Sequence, residues 1–201
     1  MTNRQRDISK RFEERYQQDD TPWTRHPPEP MVDRFLAFLQ DEKPDARVLD
    51  IGCGDGWLSL KAAERGLEVW GIDSSKTAIE RARRESQRRG LSDRVEFSVG
   101  NALELAYEDD FFDAMLDRGL FHHILPENRS LYFDNILRVL KPRSYIYLSV
   151  FSTRSVGEKN QFTRQDIEEL YTSFRIVAYE EDPYPTSAPA HLLHFIMERV
   201  R

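Results

Sequence analysis

Apolar positions along this chain recur with two spacings. Short apolar runs at 47–51, 67–73, 94–99, 112–116, 145–151, 174–180 and 192–200 have the length and composition of strands buried in a sheet. Between them the apolar residues return every three or four positions: Val32, Phe35, Leu36 and Leu39 in 31–40, Ala78, Ile79 and Ala82 in 74–89, and Leu131, Ile136, Leu137 and Leu140 in 128–140. That spacing sets each group on one face of a helix. Further helices are expected at 57–65 and 163–173. Gly66 and Gly90 close two of the helices, Lys141-Pro142 ends another, and Thr163 with Asp166 opens the last. Strand and helix alternating from residue 47 onward predict an α/β sandwich, a mostly parallel seven-stranded sheet with helices on both faces. Ahead of it, 3–18 is strongly charged, with Ile8, Phe12, Arg15 and Tyr16 able to share one face of a surface helix. Pro27, Pro28 and Pro30 then forbid a regular helix and fix an extended segment. Trp23 in that segment needs a pocket, either as a staple to the core or as a lid over a ligand.

The most informative stretch joins the first strand to a loop with three alternating glycines, Val48-Leu-Asp-Ile-Gly-Cys-Gly-Asp-Gly56. A turn through Gly52, Cys53 and Gly54 presents backbone N–H groups, and without Cβ atoms at the glycines a ligand can lie against the main chain. Asp50, at the strand's end, adds an acceptor aimed into the same crevice. Asp73 follows Gly52 by 21 residues and ends the second strand, with Ser74 after it. An acid there can accept hydrogen bonds from both hydroxyls of a ribose. Asn101-Ala102 follows the third strand, in the crevice where a parallel sheet holds its ligands. The fourth strand opens into Asp117-Arg118-Gly, then His122 and His123. His26, His122 and His123 could each reach the same mouth as a general base, and Arg25, Arg118 or Arg154 could make that mouth locally basic.

Composition narrows the chemistry. With 35 acidic against 29 basic residues the 201-residue chain has a net charge of −6, which argues against nucleic acid or an anionic membrane as its main partner. No apolar run approaches the roughly 20 residues that span a bilayer, and a cytoplasmic protein, monomer or homodimer, is expected. Cys53 is the only cysteine, so no disulfide can form within the chain and no multi-thiolate metal site can be built; no metal is expected. Cys53 is read as a small filler of the glycine turn.

These pieces, in this order, resemble the class I S-adenosylmethionine-dependent methyltransferases that act on small molecules. The glycine stretch resembles motif I of that family, and Leu-Arg-Val-Leu-Lys-Pro before the fifth strand and Pro-Trp ahead of motif I recur there as well. The resemblance implies a Rossmann-like sheet with its last strand antiparallel, a methyltransferase domain over 46–201, and residues 1–45 as N-terminal helices and a proline-rich lid segment. It implies S-adenosyl-L-methionine as cofactor. Asp50 would serve the methionine end, Asp73 and Ser74 the ribose, Asn101 and Ala102 the adenine, and Asp117 and Arg118 the surroundings of the sulfonium and acceptor. Trp23 and Arg25 would close over it, and His122, His123 or His26 would act on the acceptor. The Asn/Asp-Pro-Pro-Tyr/Phe motif of members that methylate flipped bases is missing. Two other functions compete: a catalytically silent module that binds S-adenosylmethionine to regulate a partner, and a nicotinamide-dependent oxidoreductase, which would want G-x-G-x-x-G.

Overall fold

The computed structural model describes residues 1–24, 29–184 and 190–200. Among these, β1 (Arg47–Ile51), β2 (Glu68–Asp73), β3 (Val95–Val99), β4 (Phe112–Arg118), β5 (Leu140–Phe151), β6 (Phe174–Tyr184) and β7 (Ala190–Arg199) form one sheet of order β3-β2-β1-β4-β5-β7-β6. The first five are mutually parallel, and β7 runs antiparallel to both β5 and β6. The chain moves outward from β1 through β2 to β3, then returns to lay β4 on the other side of β1. Such a reversal opens a crevice at the carboxyl ends of β1 and β4.

Both sheet faces are covered because the strands alternate two apolar sets. Leu49, Ile51, Met115, Ile146 and Leu148 pack on one side, in a core closed by α5 (Arg129–Val139) and α6 (Arg164–Leu170). Val48, Ala114, Leu116 and Tyr147 pack on the other, under α2 (Pro30–Glu42), α3 (Trp57–Ala63) and α4 (Lys76–Arg89). The helix ends follow local chemistry. Pro30 stands at the start of α2, Ser75 caps α4 by accepting from the Ala78 N–H, and Gly90 ends α4 at φ +69. Thr163 and Asp166 form a reciprocal capping box on α6.

Two boundaries differ most from the sequence expectation. Lys141-Pro142 does end the helix, but Leu140 pairs at once with Phe112, so β5 begins five residues before Tyr145. The register shifts between Phe112 and Ala114, Arg143 takes a left-handed φ of 62, and Lys141 Nζ binds the Asp113 carboxylate, which makes room for the proline. On α5 the buried face is Tyr132, Ile136 and Val139, while Leu131 lies exposed. Asp182-Pro-Tyr184 continues β6, and the rest of the expected rigid loop, 185–189, lies outside the described residues.

α1 (Asn3–Gln17) belongs to neither core. It lies across the crevice and is fastened by polar contacts. The Glu13 carboxylate accepts from Ser75 Oγ (2.6 Å), Thr77 Oγ1 (2.8 Å) and Thr77 N (3.1 Å), completing the cap of α4. Gln5 Nε2 donates to His123 O (3.0 Å), and Gln5 Oε1 accepts from Leu125 N (2.9 Å). Arg81 donates to Tyr16 O and to Asp19. The face turned inward therefore carries Gln5, Ser9, Phe12 and Tyr16, spaced four, three and four residues apart. Among the described residues no helix is long and apolar enough to cross a membrane.

Candidate active site

The glycine turn after β1 folds as its composition requires. Gly52, Gly54 and Gly56 have φ of 73, 57 and 83, and the N–H groups of Gly52 and Cys53 both donate to Ile72 O. A Cβ at Gly54 would lie 2.5 Å from Tyr16 Oη, and one at Gly52 would lie 2.9 Å from Leu120 Cβ. Only a bare backbone fits between α1 and the turn that follows β4.

Two acids frame this cradle. Asp73 Oδ2 accepts from Gly54 N (3.0 Å) and Oδ1 from Ser75 N (2.8 Å), which fixes the carboxylate at the end of β2 on the cavity wall. Burial pushes its pKa up. Asp50 is buried at the end of β1, where Ser59 Oγ donates to it; burial raises its carboxyl to about 7, with Asp117 and Asp73 adding to the rise. Burial also pushes the Cys53 thiol well up, so it stays neutral and inert. Asn101 makes a side-chain turn, its Oδ1 accepting from Leu103 N (3.0 Å), and its backbone is not left-handed.

The turn after β4 is built by Asp117. Its Oδ1 accepts from Leu120 N (2.9 Å) and Phe121 N (3.1 Å), and its Oδ2 from Tyr132 Oη (2.7 Å). Asp117 is thus a correction to the sequence reading. It is fully buried, does not reach the cavity, and acts by holding the turn that carries its neighbours. Gly119, at φ 88, bends the chain, and its N–H donates to Ser149 O (3.0 Å). Arg118 instead enters the cavity. Its Nε donates to Glu29 Oε1 (2.7 Å) and its Nη2 to the same carboxylate and to Tyr184 Oη (3.4 Å). The guanidinium carbon lies 5.3 Å from the centre of the Trp57 ring and 5.8 Å from that of Tyr184. Burial alone would lower the Arg118 pKa; the Glu29 carboxylate reverses that and holds it charged. Glu29 also meets Tyr147 Oη (3.3 Å), which bonds His194 Nδ1 (2.7 Å).

Both histidines after β4 line the same space. Burial drives His122 well below its ordinary range and His123 to about 4, the latter helped by Arg11 and Arg15, so both are neutral near pH 7. His123 packs on Phe12 with ring centres 4.8 Å apart, and its carbonyl is held by Gln5. His122 packs on Phe151 at 4.4 Å, and its Nδ1 has no hydrogen-bond partner among the described residues.

One cavity of about 570 Å³ connects all of this. Of the expected site residues it brings together Trp23, Asp50, Gly52, Cys53, Gly54, Asp73, Ser74, Asn101, Ala102, Arg118, His122 and His123. Arg25 and His26 lie outside the described residues. Trp23 lines the cavity, donating from Nε1 to Tyr16 Oη (2.9 Å) with Arg15 stacked on its ring at 4.3 Å. Sequence reasoning missed Gln5, Tyr16, Trp57, Ser149 and Tyr184 on the wall, and Glu29 behind it. Only Trp57, next to the third glycine, stood beside a signal that could have pointed to it. The donor set fits an adenosyl cofactor: a glycine cradle that a Cβ would fill, an acid at the end of β2 for a ribose, and acids on the loop side for a cationic group.

The chain belongs to the methyltransferase domain family, whose model matches residues 42–187. Among curated proteins it is 33% identical over 130 residues to a 2-heptyl-1-hydroxyquinolin-4(1H)-one methyltransferase of Mycobacteroides abscessus, covering 65% of this chain and 56% of that one. It is 28% identical over 141 residues to norajmaline N-methyltransferase of Rauvolfia serpentina, covering 68% and 48%. The chain thus spans about half the length of the curated relatives it matches. Among solved structures, the Burkholderia thailandensis 1,6-didemethyltoxoflavin-N1-methyltransferase with bound 1,6-didemethyltoxoflavin and S-adenosylhomocysteine superposes with a TM-score of 0.80 at 25% identity, covering 96% of this chain and 88% of that one.

Proposed function

We propose that this chain transfers a methyl group from S-adenosylmethionine to a small-molecule acceptor. The observation that carries the reading is the single cavity joining the glycine cradle and Asp73 to the Arg118, Ser149 and His122 side of the crevice. Bound there, the cofactor supplies a methyl on a sulfonium, open to in-line displacement. The protein's part is placement. The glycine turn, whose Gly52, Cys53 and Gly54 N–H groups are already taken by Ile72 O and Asp73, offers its bare backbone to the methionine end beside the Asp50 carboxyl, with Asp73 and Ser74 at the ribose and Asn101 and Ala102 at the adenine. Asn101 Oδ1 keeps one lone pair for that contact. Trp23, Phe12 and Tyr16 shut the crevice from the α1 side and exclude water, with Arg25 and His26 expected on the same segment. His122 and His123 stand on the acceptor side, His122 with a ring nitrogen that meets no hydrogen-bond partner among the described residues and His123 held by Gln5.

A small molecule rather than nucleic acid is supported by the net charge of −6 and by α4, whose Arg81, Arg83, Arg88 and Arg89 are engaged by acids and carbonyls of the chain itself. The relatives are named for a hydroxyquinolinone, norajmaline and didemethyltoxoflavin, which points the same way. We read the protein as cytoplasmic, a monomer or homodimer.

Incubating the purified chain with cofactor labelled in its methyl group, against a panel of phenols, amines, thiols, halides and carboxylates, tests the reading. Label should move to at least one small acceptor. Label found only in RNA or protein would overturn it, and tight cofactor binding without transfer to anything would favour the silent regulatory module.

A further inference from the structure

The two sides of the cavity differ in charge. Asp50, Asp55 and Asp73 belong to the β1 end, the glycine turn and the β2 end, where the cationic cofactor would lie. The β4 end contributes Arg118, and the only acid lining the opposite wall among the described residues is Glu158, in the loop after β5. Arg118 is half used. Nε and Nη2 face Glu29 and Tyr184, while Nη1, with two N–H donors, meets no hydrogen-bond acceptor among the described residues. Ser149 sits beside Arg118 in the β4–β5 register, and its buried Oγ, like His122 Nδ1, has no hydrogen-bond partner among the described residues; both residues line the cavity. Unmet donors and acceptors in a closed site are costly unless a ligand satisfies them. Around them the wall is aromatic: Trp57, Phe151 and Tyr184.

We infer that the methyl acceptor is a planar aromatic molecule bearing an anionic oxygen, which binds the free edge of the Arg118 guanidinium while its ring lies on Trp57, Phe151 and Tyr184. The inference rests on the methyl-transfer reading and adds the substrate class. A guanidinium fixed on one edge by a buried carboxylate presents the other edge without loss of side-chain freedom, the arrangement suited to a second oxyanion. Ser149 Oγ and His122 Nδ1 complete the set around the same group. The transfer then balances without a base: the ionised acceptor atom bonds the methyl carbon as the carbon–sulfur bond breaks, and the anionic and cationic charges vanish together with no proton to remove. That agrees with two neutral histidines whose weak basicity suits hydrogen bonding better than deprotonation.

The test uses the full chain saturated with S-adenosylhomocysteine, and calorimetry with 3-hydroxy-2-naphthoate and with its uncharged counterpart 3-hydroxy-2-naphthamide. The acid should bind at least about 10-fold more tightly than the amide. Arg118→Met alone would strand Glu29 in the interior, so it is combined with Glu29→Gln; the double variant should lose the preference and keep its S-adenosylhomocysteine affinity within about 2-fold. Equal binding of acid and amide, or binding of neither by a protein that still takes up S-adenosylhomocysteine, overturns the substrate class and leaves the methyl-transfer reading standing. Failure to bind S-adenosylhomocysteine would remove both.

Discussion

Asp73 is held by two backbone N–H groups and faces the cavity, so its charge is positioned before any ligand arrives. Asp73→Ala should weaken S-adenosylhomocysteine binding by about 1.5–3 kcal/mol, because ribose hydroxyls lose a charge-assisted acceptor and the glycine turn loses a tether. Unchanged affinity by calorimetry would remove Asp73 from the site. Asp50 gives a pH signature. Its folded pKa of about 7 stands above the ordinary 3.8, so the folded protein keeps a proton that the unfolded chain has lost, and this group's contribution to stability falls as pH rises through 7. Between pH 6 and 8 the loss is about 1.4 kcal/mol. His122, His123 and His194 have folded pKa values lowered by burial and run the other way, their contribution present above about 6.5 and lost on acidification. Only a comparison isolates the carboxyl. Without ligand, Asp50→Asn should gain about 1.4 kcal/mol on the wild type from pH 6 to 8 in urea unfolding; a constant difference would mean that Asp50 titrates elsewhere. The place of both aspartates on the cavity wall was legible in the sequence because each ends a strand. Glu29 was not, since its role exists only through Arg118, 89 residues away. Asp117 was misassigned for a related reason: a strand-end acid can face the crevice or brace the turn, and only the fold decides.

Among the elements, α1 was placed by its pattern, but its contacts were not. Ile8, Phe12, Arg15 and Tyr16 predicted one face of a surface helix, and much of the attachment of that helix is polar, through Gln5, Glu13 and the Tyr16 carbonyl. Hydrogen bonds from Ser75 and Thr77 outweigh burial and hold the Glu13 carboxyl below its ordinary range. Glu13→Ala should cost about 1–2 kcal/mol, the scale of a lost helix cap, seen as a lowered urea midpoint at unchanged slope. No change would mean that α1 contributes little to stability and is free to swing as a lid. Polar anchoring has no period, which is why the pattern placed the helix without its contacts. The early start of β5 was illegible for another reason. Lys-Pro is a sound stop for a helix, and nothing local shows that Leu140 already has a strand partner in Phe112.

For the molecule as a whole, alternation of apolar strands and helices was enough to anticipate the layers, and the family's last antiparallel strand stands between β5 and β6. The wall that α1 builds has a kinetic side. Thr2 and Gln5 dock on His123, Leu125 and Asn128, contacts that span 118 to 126 residues. Closing so long a loop before β1, β4 and the turn after β4 exist has an entropic cost and nothing to offset it. α1 should therefore dock last, after the sheet has formed. In refolding followed by pulsed hydrogen exchange, the amides of β1 and β4 should gain protection before those of residues 5–16; simultaneous protection would refute this order. A chain caught midway would have its sheet assembled and its crevice still open along the side where Phe12, Tyr16 and Trp23 come to rest, so a cofactor present during refolding could enter before that wall exists.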